Sequence, residues 1–196
     1  MTLGLLGNLK KGLLFILSAP AGTGKTTLVQ LLVRDFPCVV ASISCTTRQP
    51  RPGEENERDY YFISKEEFRN RVQAGDFLEH VELYGDFYGT SKRWVEEKLG
   101  QGKHVILVID TQGAKLLKDK MKAISLFVAP PSLSELERRL KLRKTESAEG
   151  IENRLRWAQK EMESQNEYDY LIVNDDLSNA YQVLRSILIA EEHRVR

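Results

Sequence analysis

The chain has 196 residues, 41% of them hydrophobic and 29% charged, which suits one α/β domain with a full core and some insertions rather than two independent domains. Its formal net charge of +1 provides no global field to draw it to nucleic acid or to an anionic membrane, so any anion site must come from local basic clusters. Two cysteines, Cys38 and Cys45, are too few for a disulfide framework, and the first residues show neither a cleavage pattern nor a spanning apolar run. The expectation is a soluble, cytoplasmic protein with reduced thiols.

The first strand-like run, Leu13 to Ser18, leads into A-P-A-G-T-G-K-T at Ala19 to Thr26 and then into a helical period over Lys25 to Asp35. A glycine-rich loop between a buried strand and a helix is a phosphate cradle. Gly22 and Gly24 let the backbone turn and approach an anion, while N–H groups from Ala21 to Thr27 point at it from the helix start. Lys25 reaches the outer phosphates, and Thr26 offers its hydroxyl to magnesium. Ala19 stands where the usual G-x-x-x-x-G-K-[ST] pattern has its first glycine.

Further strand-like runs fall at Val39 to Ser44, Val105 to Ile109, Ile124 to Ala129 and Tyr170 to Val173. Helical periods cover Ala114 to Asp119, Leu133 to Arg143, Ile151 to Glu163 and Ser178 to Glu191, with Ser132 and Glu135 forming a capping-box pattern after Pro130 and Pro131. This alternation favours a parallel sheet flanked by helices. Between the second and third strands, Thr46 to Gly100 breaks the rhythm with strand-like pieces at Tyr60 to Ile63 and Phe77 to Tyr84, a natural place for a substrate-recognition insertion.

Inside that insertion, T-R-Q-P-R-P-G-E-E-N-E-R-D holds Arg48 and Arg51 on either side of Pro50, so that a dianionic phosphate can satisfy both guanidinium groups. Pairing of these arginines with Glu54 and Glu55 on a solvated surface is the alternative reading. Arg138, Arg139, Arg143 and Arg154 crowd another region, which calls for an anion or for acids such as Glu146 and Glu149 among them. Asp110, at the end of an apolar run, can reach magnesium directly or through water.

These segments, read in order as S-x-T-T-R-x-P-R-x-G-E, D-Y-x-F, G-x-F-x-E, Y-G-T, I-D-T-Q-G, A-P-P-S, R-L-x-x-R-x-T-E, N-R-L and V-N-D-D, resemble the guanylate kinases. The resemblance implies a P-loop parallel-sheet core (residues 1–45, 101–138 and 158–196), a mixed α/β GMP-binding subdomain (46–100) and a helical lid (139–157). It implies transfer of a phosphoryl group from ATP to GMP, and to dGMP, with magnesium, by a monomer or homodimer that needs neither nucleic acid nor membrane. The alternatives are a non-catalytic module that captures phosphorylated peptides and a kinase for another monophosphate. By the resemblance, Ser44, Arg48, Arg51, Tyr60 and Tyr88 surround the GMP phosphate, and Glu79 and Thr90 meet the base. Asp110 serves the acceptor side and the metal, and Lys25, Arg51, Arg143 and Arg154 carry catalysis. Arg139 holds ATP phosphates, while Asn174 either lies by the adenine or only ends the sheet. The family commonly has an acid at the position of Val108 and serine at that of Thr90.

Overall fold

A computed structural model describes residues 4–83, 85–118, 120–142 and 148–195. The first strand, β1 (Leu14–Ser18), is buried along its whole length and turns through the glycine loop into α1 (Lys25–Asp35), after which β2 (Val39–Ala41) returns to the same sheet. The insertion then contributes β3 (Cys45–Thr46), β4 (Tyr61–Phe62), α2 (Lys65–Gln73), β5 (Phe77–Leu83), β6 (Asp86–Ser91) and α3 (Lys92–Gly100). Core elements resume with β7 (His104–Val108), α4 (Thr111–Lys118) and β8 (Ile124–Ala129). They continue through α5 (Leu133–Leu142), α6 (Ala148–Glu163), β9 (Tyr170–Val173) and α7 (Leu177–Glu192).

The main sheet has the order β2-β7-β1-β8-β9, and every neighbouring pair is parallel. Parallel strands covered on both faces need apolar side chains on both, which is why Leu14 to Leu17 of β1 form a continuous apolar run rather than an alternating one. Phe15 and Leu17 pack on one side with Leu28 and Leu32 of α1 and Leu184 and Leu188 of α7. Leu14 and Ile16 pack on the other with Val95 and Leu99 of α3 and Ala114 and Leu117 of α4. A small separate cluster, Leu136, Leu140 and Ala158, joins α5 to α6.

The insertion forms a second sheet of order β4-β3-β6-β5, mostly antiparallel. Its own core is aromatic: Phe68 of α2 stacks on Phe77 with ring centroids 4.7 Å apart and on Phe87 at 5.5 Å. Ser64 and Ser91 cap α2 and α3, and Asp176 caps α7, each accepting a hydrogen bond from a first-turn N–H.

Two sequence expectations change. The run from Val39 stops at Ala41, and Cys45–Thr46 leaves the main sheet to pair with β4 and β6, because the chain crosses there into the insertion. The capping box at Ser132 is half made: Ser132 accepts from the Glu135 N–H at 3.1 Å, but the Glu135 carboxylate turns away to Arg138 and Arg139. The expected strand end at Tyr84, helix end at Asp119, and lid residues Arg143 and Glu146 lie outside the described residues.

Candidate active site

The loop after β1 and the residues after β7 and β9 gather at the carboxyl ends of the parallel strands, the edge at which open α/β sheets bind ligands. Within the loop, Gly22 has φ +94° and Gly24 φ +91°, conformations that side chains disfavour. A Cβ on Gly22 would stand 2.9 Å from Leu140, so the loop also lies directly against α5. Thr23 is fully buried and donates its hydroxyl to the Pro20 carbonyl at 2.9 Å, stapling the turn rather than facing outward. Ala19 is buried and absent from the positive-φ residues, which explains why the missing glycine does no harm to the backbone here.

Helix α1 begins without a side-chain cap, so its first N–H groups, including those of Thr26 and Thr27, point out of the helix end toward whatever anion enters. Lys25 folds back to donate to the Ala19 carbonyl. Burial lowers the Lys25 pKa; Glu161 and Asp110 oppose that shift, and the Arg154 charge adds to it. Glu161, on the α6 face that also carries Arg154 and Ala158, is itself pushed up to about 7 by burial, with Asp110 adding and Lys25 opposing. Sequence reading missed this acid. Its only signal was helical spacing, seven residues after Arg154, and that points nowhere until α6 is docked.

Asp110 uses Oδ1 to accept from the N–H groups of Gln112 at 2.7 Å and Gly113 at 3.2 Å, holding the start of α4. Val108, where the resemblance led to an expected acid, is a partly buried apolar residue packed against the core cluster that includes Phe15 and Leu17. On the insertion, Glu79 of β5 is 5% exposed, and Thr90 of β6 donates its hydroxyl to Glu79 Oε1 at 2.6 Å. A Cβ on Gly113 would lie 3.0 Å from Glu79 Oε2, so the carboxylate sits against the first turn of α4. Burial pushes the Glu79 pKa up to about 7, with Thr90 opposing and Asp110 adding. The Thr90 proton is thus already given to Glu79.

Arg48 and Arg51 are not held as a matched pair. Arg48 makes a two-pronged ion pair with Glu54, both N···O distances 3.0 Å, and lies 5.3 Å over the Tyr60 ring, which is edge-on to Tyr88. Burial works against the Arg48 charge, but Glu54 and the Tyr88 hydroxyl outweigh it and raise its pKa. Arg51 is exposed, and its main-chain N–H donates to the same Glu54 at 2.8 Å. Glu54 therefore acts as the organising residue of the loop. Ser44 is half-buried, and its carbonyl accepts from the Tyr61 N–H at 2.9 Å.

On the opposite wall, Arg139 donates to Glu135 at 2.8 Å and to the Asp175 carbonyl at 3.5 Å. Arg138 and Arg139 hold the Glu135 carboxyl down to about 2. Asn174 is buried after β9 and gives its side-chain amide to the Thr23 carbonyl at 2.6 Å.

A family profile described as guanylate kinase matches residues 11–191. The chain is 61% identical over 189 residues to the guanylate kinase of Protochlamydia amoebophila, covering 96% of each, and 51% identical over 183 residues to that of Chlamydia trachomatis serovar D, covering 93% of this chain and 89% of that one. It is similar in structure to guanylate kinase from Anaplasma phagocytophilum, with a TM-score of 0.78 and 33% identity over 98% of this chain and 91% of that one.

Proposed function

The chain belongs to the guanylate kinase family, and we propose that its glycine loop, inserted sheet and α5–α6 segment divide between them the transfer of the ATP terminal phosphoryl group to GMP. The reaction is ATP + GMP giving ADP + GDP.

Phosphoryl transfer asks a protein for alignment and positive charge more than for covalent chemistry. In this reading the N–H groups of residues 21–27 and Arg139 hold the ATP phosphates. Lys25 leaves the Ala19 carbonyl for the transferring group, whose negative charge restores the favourable field that burial removes. Arg48, Arg51, Ser44, Tyr60 and Tyr88 take the GMP phosphate. Arg51 and Arg154 face the moving group from the two sides, with Arg143 assigned the same duty by the family pattern alone. Residues 46–100 serve as the GMP-binding part and 139–157 as the lid, whose closure excludes water and so limits wasteful hydrolysis.

The donor set suits magnesium: Thr26 presents an exposed hydroxyl at the head of α1, and Asp110 spends only one oxygen on α4. Held by these two residues, a magnesium ion would supply charge neutralisation at the outer phosphates.

The observation that carries the base assignment is the buried Glu79–Thr90 pair. Guanine offers a ring N–H and an amino group side by side, which one carboxylate accepts together, whereas adenine offers a ring acceptor there and meets the carboxylate lone pair to lone pair. With its proton on Glu79, Thr90 fixes the carboxylate and cannot at the same time donate to the guanine carbonyl. The intact loop with Lys25 and Thr26 speaks for catalysis over phosphopeptide capture, and Glu79 for guanine over another base. No helix among the described residues is long and apolar enough to cross a membrane. A cytoplasmic enzyme, active on dGMP as well as GMP and working as a monomer or homodimer, completes the reading.

The test is ADP release by the purified protein with Mg-ATP and, in turn, GMP, AMP, CMP and UMP. Turnover with GMP is expected to exceed the others at least a hundredfold, in line with the discrimination that unpaired buried polar groups impose. Comparable turnover with AMP would overturn the base assignment.

A further inference from the structure

Asn174 is 4% exposed and is the first residue after β9, the edge strand of the main sheet. Its main-chain N–H donates to the Ala129 carbonyl at 2.8 Å, which locks it to the end of β8, and its side-chain Nδ2 donates to the Thr23 carbonyl at 2.6 Å, 151 residues away in sequence. We propose that Asn174 is a positioning residue for the phosphate loop, setting the plane of the Thr23–Gly24 peptide rather than reading the adenine ring.

A trans peptide is planar, so its carbonyl and its N–H point in opposite directions. Drawing the Thr23 carbonyl toward Asn174 therefore turns the Gly24 N–H the other way, and among the described residues that N–H donates to no protein group. An N–H left without a protein partner at the head of a helix is available to a phosphate oxygen. Turned over, the same peptide would present a carbonyl oxygen to the anion instead.

Gly24 is fitted to this arrangement from the other side. A Cβ there would fall 2.6 Å from Asn174 Nδ2, and Gly24 already has φ +91°. The glycine is thus required both for its backbone conformation and for the room that the amide occupies. Thr23 gives its own N–H and hydroxyl to the Pro20 carbonyl at 3.4 and 2.9 Å, which fixes the preceding peptide and leaves the Thr23–Gly24 plane to Asn174. One of the two amide hydrogens of Asn174 is committed to the Thr23 carbonyl.

The proposal rests on the loop being the ATP site, and a base-free ligand separates the two claims. Binding of ATP and of inorganic tripolyphosphate, each with magnesium, is measured by calorimetry on the wild type and on Asn174→Ala, Asn174→Asp and Asn174→Ser, beside steady-state kinetics and thermal unfolding. In Asn174→Ala both ligands are expected to lose about tenfold in affinity. KM for ATP is expected to rise by the same factor, while KM for GMP stays within about twofold. Asn174→Asp, which sets a carboxylate against the Thr23 carbonyl, is expected to be worse than Ala. Asn174→Ser, which restores a donor, is expected to recover part of the loss, and it also keeps the test alive if the alanine variant does not fold.

Loss of ATP affinity with tripolyphosphate binding unchanged would overturn the proposal in favour of an adenine contact. Equal loss for ATP and GMP that tracks the unfolding temperature would overturn it in favour of a general structural role. Failure of the wild type itself to phosphorylate GMP from ATP would strike the function and not the loop geometry, because tripolyphosphate binding would still report on the latter.

Discussion

In the glycine loop the groups assigned to the ligand are main-chain N–H groups, held by Gly22 and Gly24 at positive φ and by Thr23 on Pro20. In the inserted sheet they are side chains held by other side chains, Arg48 by Glu54 and Glu79 by Thr90. The two designs carry different costs. Main-chain donors bear no proton that can titrate, so the loop answers to conformation and to the charge of Lys25. The insertion keeps a carboxylate under cover before any guanine arrives, and so it answers to pH and to the loss of a single partner.

The sharpest way to break this comparison is at Lys25, the one charged side chain in the loop. Lys25→Met is expected to lower kcat by about two to four powers of ten with GMP binding nearly unchanged, since the charge matters most in the transition state. Rapid-quench turnover beside GMP calorimetry checks this, and near-normal turnover would leave the main chain sufficient by itself.

A smaller effect is expected at Glu54, which touches no ligand in this reading. Glu54→Ala removes both prongs from Arg48 and the acceptor of the Arg51 N–H, and KM for GMP is expected to rise about tenfold while KM for ATP stays put. Equal changes in both would mean that the two regions are not independent. The smallest effect is expected at Ala19. Because its backbone lies outside the positive-φ region, Ala19→Gly is expected to change KM for ATP less than about twofold and to destabilise the protein by about 0.4–1 kcal/mol through the freer unfolded chain, read by urea unfolding.

The same contrast governs what the sequence made legible. The loop could be read because its chemistry is local: glycines, lysine and threonine within one turn, between an apolar run and a helical period. The parallel sheet followed from continuous apolar strands alternating with helices, and α1 was read with its observed ends. What stayed hidden depends on partners far apart in the chain. Glu161 becomes part of the site only when α6 docks beside the loop, Gly113 matters because Glu79 leans on it, and the commitment of Asn174 to Thr23 is invisible without the fold. Glu54 was visible only as an alternative partner for surface arginines, because nothing in T-R-Q-P-R-P-G-E says which way the turn folds; its ion pair with Arg48 and its acceptance of the Arg51 N–H came from the structure.

Proton linkage gives Glu79 two consequences of known sign. Its folded pKa of about 7 lies above the ordinary 4.5, so the stability tied to its protonated form is full below about 4.5 and is lost as pH rises through about 7. Guanine needs the opposite form, the carboxylate, to accept two N–H groups. The most direct measurement is therefore the ratio of kcat/KM for GMP to that for AMP between about pH 5.5 and 8.5, which reports on the free enzyme and cancels the titration common to the two substrate phosphates. The account predicts that the ratio climbs about tenfold per pH unit up to about 7 and then levels, and that Glu79→Gln flattens it at a lower value. A ratio in the wild type that does not change across this range would contradict the claim that a buried, titrating Glu79 selects guanine.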